Sequence, residues 1–211
     1  MRLFAALALL TTSLLPAGAL AFQVPIDPGD RSVYLRVGDG NFDRNIFGQI
    51  RPWTSGGRPR SGGAVSRARA VVAATDVGNG IPQAMVGNGR TTSDYDGFQF
   101  CNAGEIYVGG YFRRPGNNST SATLSILADP GLTGPGTNTI PISEISWTSS
   151  GNGDVGAQPI PGGTLVPGLT PITTFPQNLW TESCLSFRYA NSQVVAGGTY
   201  TTTITFTLVT P

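Results

Sequence analysis

Residues 198–211, GTYTTTITFTLVTP, alternate. Tyr200, Ile204, Phe206 and Leu208 fall on one side and Thr201, Thr203, Thr205 and Thr207 on the other; between Tyr200 and Leu208, Thr202 is the one polar residue of the apolar side. Successive side chains of a strand point to opposite faces, so the pattern describes one apolar and one hydroxyl face. A helical period would scatter the same residues around the cylinder. Threonine and the aromatics also suit the pleated conformation. A last strand this regular implies a sheet to complete, and the rest of the chain is expected to be organised around it.

Shorter runs predict further strands at 32–37, 83–86, 98–101, 105–113, 121–127, 139–147, 163–166, 172–175 and 180–189. Clusters of Gly, Pro and Asn separate them, the spacing of an antiparallel sandwich or barrel. In 64–74 (AVSRARAVVAA) a strand reading puts Val65, Arg67, Arg69 and Val71 on one face and Ala64, Ser66, Ala68, Ala70 and Val72 on the other. Gly62-Gly63 before it and Val77–Gly80 after it are turn chemistry, which favours strand over helix. Within 139–147 the apolar series Ile140, Ile142 slips to Ile145, Trp147, which predicts a β-bulge near Ser143-Glu144. Pro141 in that run predicts an edge strand. Residues 41–63 and 151–171 read as long loops.

The first 21 residues, MRLFAALALLTTSLLPAGALA, set one positive residue, Arg2, before an apolar run that ends in Ala19-Leu20-Ala21. This is the form of a signal peptide cleaved between Ala21 and Phe22. The run is too short and interrupted for a membrane anchor, which needs about 20 apolar residues. No later segment has the length and hydropathy of a membrane span. The expected organisation is therefore a signal peptide (1–21) and one β-sandwich domain (22–211), exported to the periplasm, cell surface or medium.

Charged residues make up 12% of the chain, and removal of Arg2 leaves 12 arginines against 12 acids, with no lysine. That balance argues against wholesale binding of nucleic acid. The two cysteines, Cys101 and Cys184, are expected to pair after export. The alternative, a reactive thiol, needs a base or a positive neighbour, and there is no histidine in the chain to serve.

The same absence excludes Ser-His-Asp and Cys-His hydrolysis and His-based zinc or copper sites. Carboxylate chemistry remains. Asp94 and Asp96, flanking Tyr95, are either a glycosidase pair in a cleft or turn acids that cap backbone amides. Asp39-Gly40-Asn41-Phe42-Asp43 begins like a calcium loop, but Arg44 and Ile50 stand where an EF-hand needs Gly and Glu, so no metal site is expected. Arg51, Arg58, Arg60, Arg67 and Arg69 lie in a stretch free of acids, and Arg113-Arg114 form a pair. Either these hold an anionic polysaccharide or lipid phosphates through the arginine fork, or they are solvated loops. Trp53, Trp147 and Trp180 are either a sugar-stacking platform or core. Asn117 and Asn118 open two overlapping glycosylation acceptors, Asn-Asn-Ser and Asn-Ser-Thr. No catalytic residue and no cofactor site follows from any of this.

The ending, Gly198-Thr199-Tyr200 followed by an alternating strand, resembles bacterial fimbrial subunits of the spore coat protein U-like type and is similar to pilins assembled by a chaperone and usher. The resemblance implies an Ig-like sandwich, a disulfide, a terminal strand gripped by a periplasmic chaperone, and partners that are copies of the chain or related subunits. It also implies an N-terminal donor strand. Phe22, Val24 and Ile26 alternate suitably, while Pro25 and Pro28 argue for a short reach or for folding back on the same domain. The expected function is a non-catalytic structural or adhesive surface protein. A secreted carbohydrate- or ligand-binding module is the second reading and a carboxylate-dependent glycosidase the third.

Overall fold

A computed structural model describes residues 23–39, 42–43, 58–59, 66–116 and 119–211 (42–43 and 58–59 as backbone). The strands in chain order are β1 (Gln23–Pro25), β2 (Ser32–Val37), β3 (Phe42–Asp43), β4 (Arg58–Pro59), β5 (Ala68–Arg69), β6 (Gln83–Ala84), β7 (Val86–Gly87), β8 (Ile106–Arg113), β9 (Ser121–Ala128), β10 (Gly131–Thr133), β11 (Thr139–Pro141), β12 (Ile145–Ser150), β13 (Gly163–Thr164), β14 (Gly168–Pro176), β15 (Leu179–Tyr189) and β16 (Ile204–Val209). The fold is all-β, and every ladder among the described residues is antiparallel. None of the described helices is long and apolar enough to cross a membrane.

Two sheets enclose the main core. The larger runs β13-β12-β15-β8-β2, with β1 and β6 also on β15; the smaller runs β14-β9-β16. Leu124 and Ile126 of β9 and Phe175 of β14 meet Val108 and Phe112 of β8 and Leu185 and Phe187 of β15, all buried. Ile140, Ile142, Ile145 and Trp147 close one end of this core. The arrangement is sandwich-like.

The organising strand is β15, not the last one. β15 is 11 residues long. Along one side it pairs with β1 and then β12, and along the other with β8 and then β6. Leu185, Phe187 and Tyr189 join the main core. Trp180, Glu182 and Cys184, which point the opposite way, are fully buried too. β16, by contrast, is an edge of the smaller sheet. Its alternation is as expected: Tyr200, Thr202, Ile204, Phe206 and Leu208 are half-buried, and Thr201, Thr203, Thr205 and Thr207 are exposed.

Three further expectations are corrected. Residues 98–101 are not a strand; a single bridge, Thr92 to Gln99, is all the pairing there. The reason is that this segment lies over the large sheet rather than in it. The expected bulge near Ser143-Glu144 is a turn of 3-10 helix, Ile142–Glu144, which separates β11 from β12. The extra residue is absorbed by ending one strand and starting another. Ala64 and Val65 lie outside the described residues; of 66–74 only Ala68–Arg69 pair as strand, although the expected faces hold: Arg67, Arg69 and Val71 are exposed and Ser66, Ala68, Ala70 and Val72 half-buried. Pro141 does lie in a strand with one partner, β10.

Both segments that could have served a neighbour are used within the chain. Val24 pairs with Trp180, Ile26 is buried, and Ile26 N–H donates to Asn178 O at 2.9 Å. Residues 32–37 pair with β8 over their whole length. Residues 1–22, and with them the expected cleavage site and Phe22, lie outside the described residues.

Candidate functional site

Opposite residues of an antiparallel ladder share a face. On the outer face of the large sheet this sets out two rows: Trp180, Tyr111 and Tyr34, then Glu182, Gly109 and Arg36. The residues from Arg90 to Glu105 cover these rows. Cys101 is joined to Cys184 of β15, with 5.4 Å between the Cα atoms, so the expected disulfide is present. Phe100 and Tyr107 pack beside it edge to face. Tyr34, Tyr111 and Trp180 form an aromatic shelf whose rings are 5.8–6.0 Å apart, with Ile26 against it.

Three carboxylates lie in this layer. Glu182 accepts from Ser93 Oγ at 2.8 Å and from Tyr107 OH at 2.5 Å. Burial pushes its carboxyl up to about 7, against the lowering effect of those bonds. Burial, reinforced by the charge of Glu182, likewise holds the Tyr107 hydroxyl well above its ordinary range. Asp94 accepts from Tyr34 OH at 2.6 Å and pairs with Arg36 at 3.2 Å and with Arg90. Burial opposes the Arg36 charge, but Asp94 outweighs it and raises the guanidinium further. Glu105 accepts from Ser150 Oγ and Ser186 Oγ, both at 2.9 Å, and from Asn102 N at 2.7 Å. The grouping of Cys101, Glu105 and Cys184 is not a metal site, because both sulfurs are in the disulfide.

Asp94 and Asp96 are therefore not a pair facing a cleft. Asp94 is buried, while Asp96 is exposed and caps the turn by accepting from Phe98 N at 2.9 Å. Trp147 and Trp180 are core, with Trp147 Nε1 donating to Pro161 O at 2.9 Å. Trp53 lies outside the described residues, as do Gly40 and Asn41 of the calcium-like loop, both asparagines of the glycosylation acceptors, Arg51 and Arg60, and the side chain of Arg58.

The remaining arginines separate into two places. Arg67 and Arg69 line an open groove on the β5–β7 ribbon. Arg113 ends β8 opposite Ser32, with its side chain beside Gly29, and Arg114 N donates to Asn178 Oδ1 at 3.1 Å. The ribbon approaches the other end of β8, where Ser66 Oγ accepts from Asp39 N and Gly38 N donates to Tyr107 O. Seven strand steps, about 23 Å, divide the two places.

Arg36, Arg90, Tyr107 and Glu182 were not singled out as a group by the sequence. Only Gly109-Gly110 inside an apolar run signals a close approach there. A Cβ on Gly109 would overlap the Tyr107 hydroxyl, and one on Gly110 would overlap Tyr34 O.

The third feature is the β16 edge. From Ile204 to Val209 it pairs with β9, and Thr201 continues that side by bridging Thr133. Among the described residues its other side joins no ladder. No family model matches the chain, and no curated protein and no solved structure matches it.

Proposed function

We propose that the protein is a non-catalytic structural or adhesive subunit of an exported surface assembly, fimbria-like in role and Ig-like in the arrangement of its sheets. Its copies join through the free edge of β16. The observation that carries this reading is the chemistry of that edge. Soluble proteins blunt edge strands with charge, proline, a bulge or short length. From Thr199 to Thr210 there is no charged residue and no proline. The inward side chains, Ile204, Phe206 and Leu208, are only half-buried. A second β16 laid antiparallel would set threonine against threonine with no like charges opposed, a self-complementary two-fold contact. Because β1 and β2 are both paired within their own chain, the contact is edge to edge and needs no exchanged N-terminal strand.

Sedimentation of the protein and of Thr205→Lys tests this. Thr205 is exposed, so lysine there leaves the fold intact and sets like charges across the contact. The wild type is expected to associate as concentration rises and the variant to stay monomeric, with equal melting temperatures. A wild type that is monomeric at every concentration contradicts the reading.

A further inference from the structure

The register of the β5–β7 ribbon gives its outer face a direction. Ala68 pairs with Gly87 and Arg69 with Val86. Continuing that register sets Arg67 beside Asn88 at one end and Val71 beside Ala84 at the other. The first row is held firmly: Arg67 N donates to Asn88 Oδ1 at 2.6 Å, and Asn88 N to Arg67 O at 3.1 Å. Rows two residues apart are about 7 Å from one another. The face therefore passes in about 13 Å from cationic and polar, through a mixed row, to apolar.

Three observations mark this face as unfinished. Among the described residues neither the Arg67 nor the Arg69 guanidinium has a carboxylate partner. Val71 and Val86 are 77% and 66% exposed, the apolar end of the same groove. The groove has a volume of about 690 Å³, and none of the described residues lining it is an acid.

We propose that this groove binds an anionic amphiphile, with a phosphate or carboxylate headgroup on Arg67 and Arg69 and an aliphatic chain over Val86, Val71 and Ala84. The arginine fork matches such a headgroup through two parallel hydrogen bonds. The valines gain by covering a chain, at a rate set by the apolar area removed from water. An acidic polysaccharide fits less well, because sugar rings bind on aromatic faces and none of the described residues lining the groove is aromatic. The site is separate from β16 and does not depend on association there.

The test is calorimetric titration of the Thr205→Lys protein with monomeric dodecyl phosphate, inorganic phosphate, a neutral dodecyl glycoside and dextran sulfate. Dodecyl phosphate is expected to bind at one site per chain, at least about tenfold more tightly than inorganic phosphate or the glycoside. Arg67→Gln/Arg69→Gln and Val71→Ser/Val86→Ser are each expected to weaken it by about tenfold or more, with unchanged melting temperatures. Equal affinity for dodecyl phosphate and inorganic phosphate would overturn the proposal. So would tighter binding of dextran sulfate, or a double arginine variant that binds as the parent does.

Discussion

The Tyr107 hydroxyl stands over the bare Cα of Gly109 and donates to Glu182 Oε2 at 2.5 Å. It also accepts from Asp94 N at 3.2 Å, which ties the covering segment to β8 and β15 through one oxygen. Gly109 sits between Glu182 and Arg36 in the same row, so the missing side chain is the space that the tyrosine ring fills.

Gly109→Ala should therefore destabilise the protein by about 1–3 kcal/mol, because the Tyr107 oxygen is held from two directions and has little room to yield. Denaturant titration measures this. A loss under about 0.5 kcal/mol, the range of an ordinary surface change, would show that the ring moves freely.

Glu182 should make stability fall as pH rises. Its carboxyl titrates near 7 in the folded protein, above the ordinary 4.5. Between those values the folded state holds a proton that the unfolded chain has released. Its contribution is thus fully present below about 4.5 and lost as pH approaches 7, by about 3 kcal/mol in all. Other groups add slopes of their own, so the comparison is with Glu182→Gln. Relative to the wild type, the variant should gain that amount between pH 4.5 and 7.5. Parallel stability curves would contradict the burial argument.

Asp94 and Asp96, two residues apart, should behave differently. Asp94→Ala removes the carboxylate shared by Arg36, Arg90 and the Tyr34 hydroxyl; the partial exposure of both arginines limits the loss to about 2–3 kcal/mol. Asp96→Ala removes one exposed turn bond and should cost about 1 kcal/mol or less. Similar losses for the two would mean that Asp94 is not the anchor its bonds describe.

The disulfide closes 83 residues of sequence and staples the covering segment to the central strand. The Cys101→Ser/Cys184→Ser protein should lose roughly 4–5 kcal/mol if the chain-entropy account applies. Thiol labelling of the unreduced, denatured protein should find no free cysteine; stoichiometric labelling would contradict the pairing.

These contrasts explain what the sequence made legible. Regular alternation marks a strand with one dry and one wet face, so β16 and the 66–72 segment could be read residue by residue. The same regularity misled about rank. β15, LWTESCLSFRY, is buried on both faces, one by the opposite sheet and one by the 90–105 segment. Its inner side carries Leu185 and Phe187, its outer side Glu182, Cys184 and Ser186, and polarity alone does not reveal that both are covered. The Asp94 and Glu182 network joins residues up to 89 positions apart through hydrogen bonds, a relationship without a period. The pairing of the two cysteines, by contrast, followed from their number and from the expectation of export.

The proposed contact between copies runs along the outward edge of β16, and amide hydrogen exchange along residues 200–209 reads it most directly. Amides directed at β9 are protected by that ladder at any concentration. Those directed away have no ladder partner among the described residues. They should exchange rapidly in dilute protein and slow progressively as concentration rises, while in Thr205→Lys they stay fast. Outward amides that exchange equally fast at every concentration in the wild type would contradict assembly through this strand.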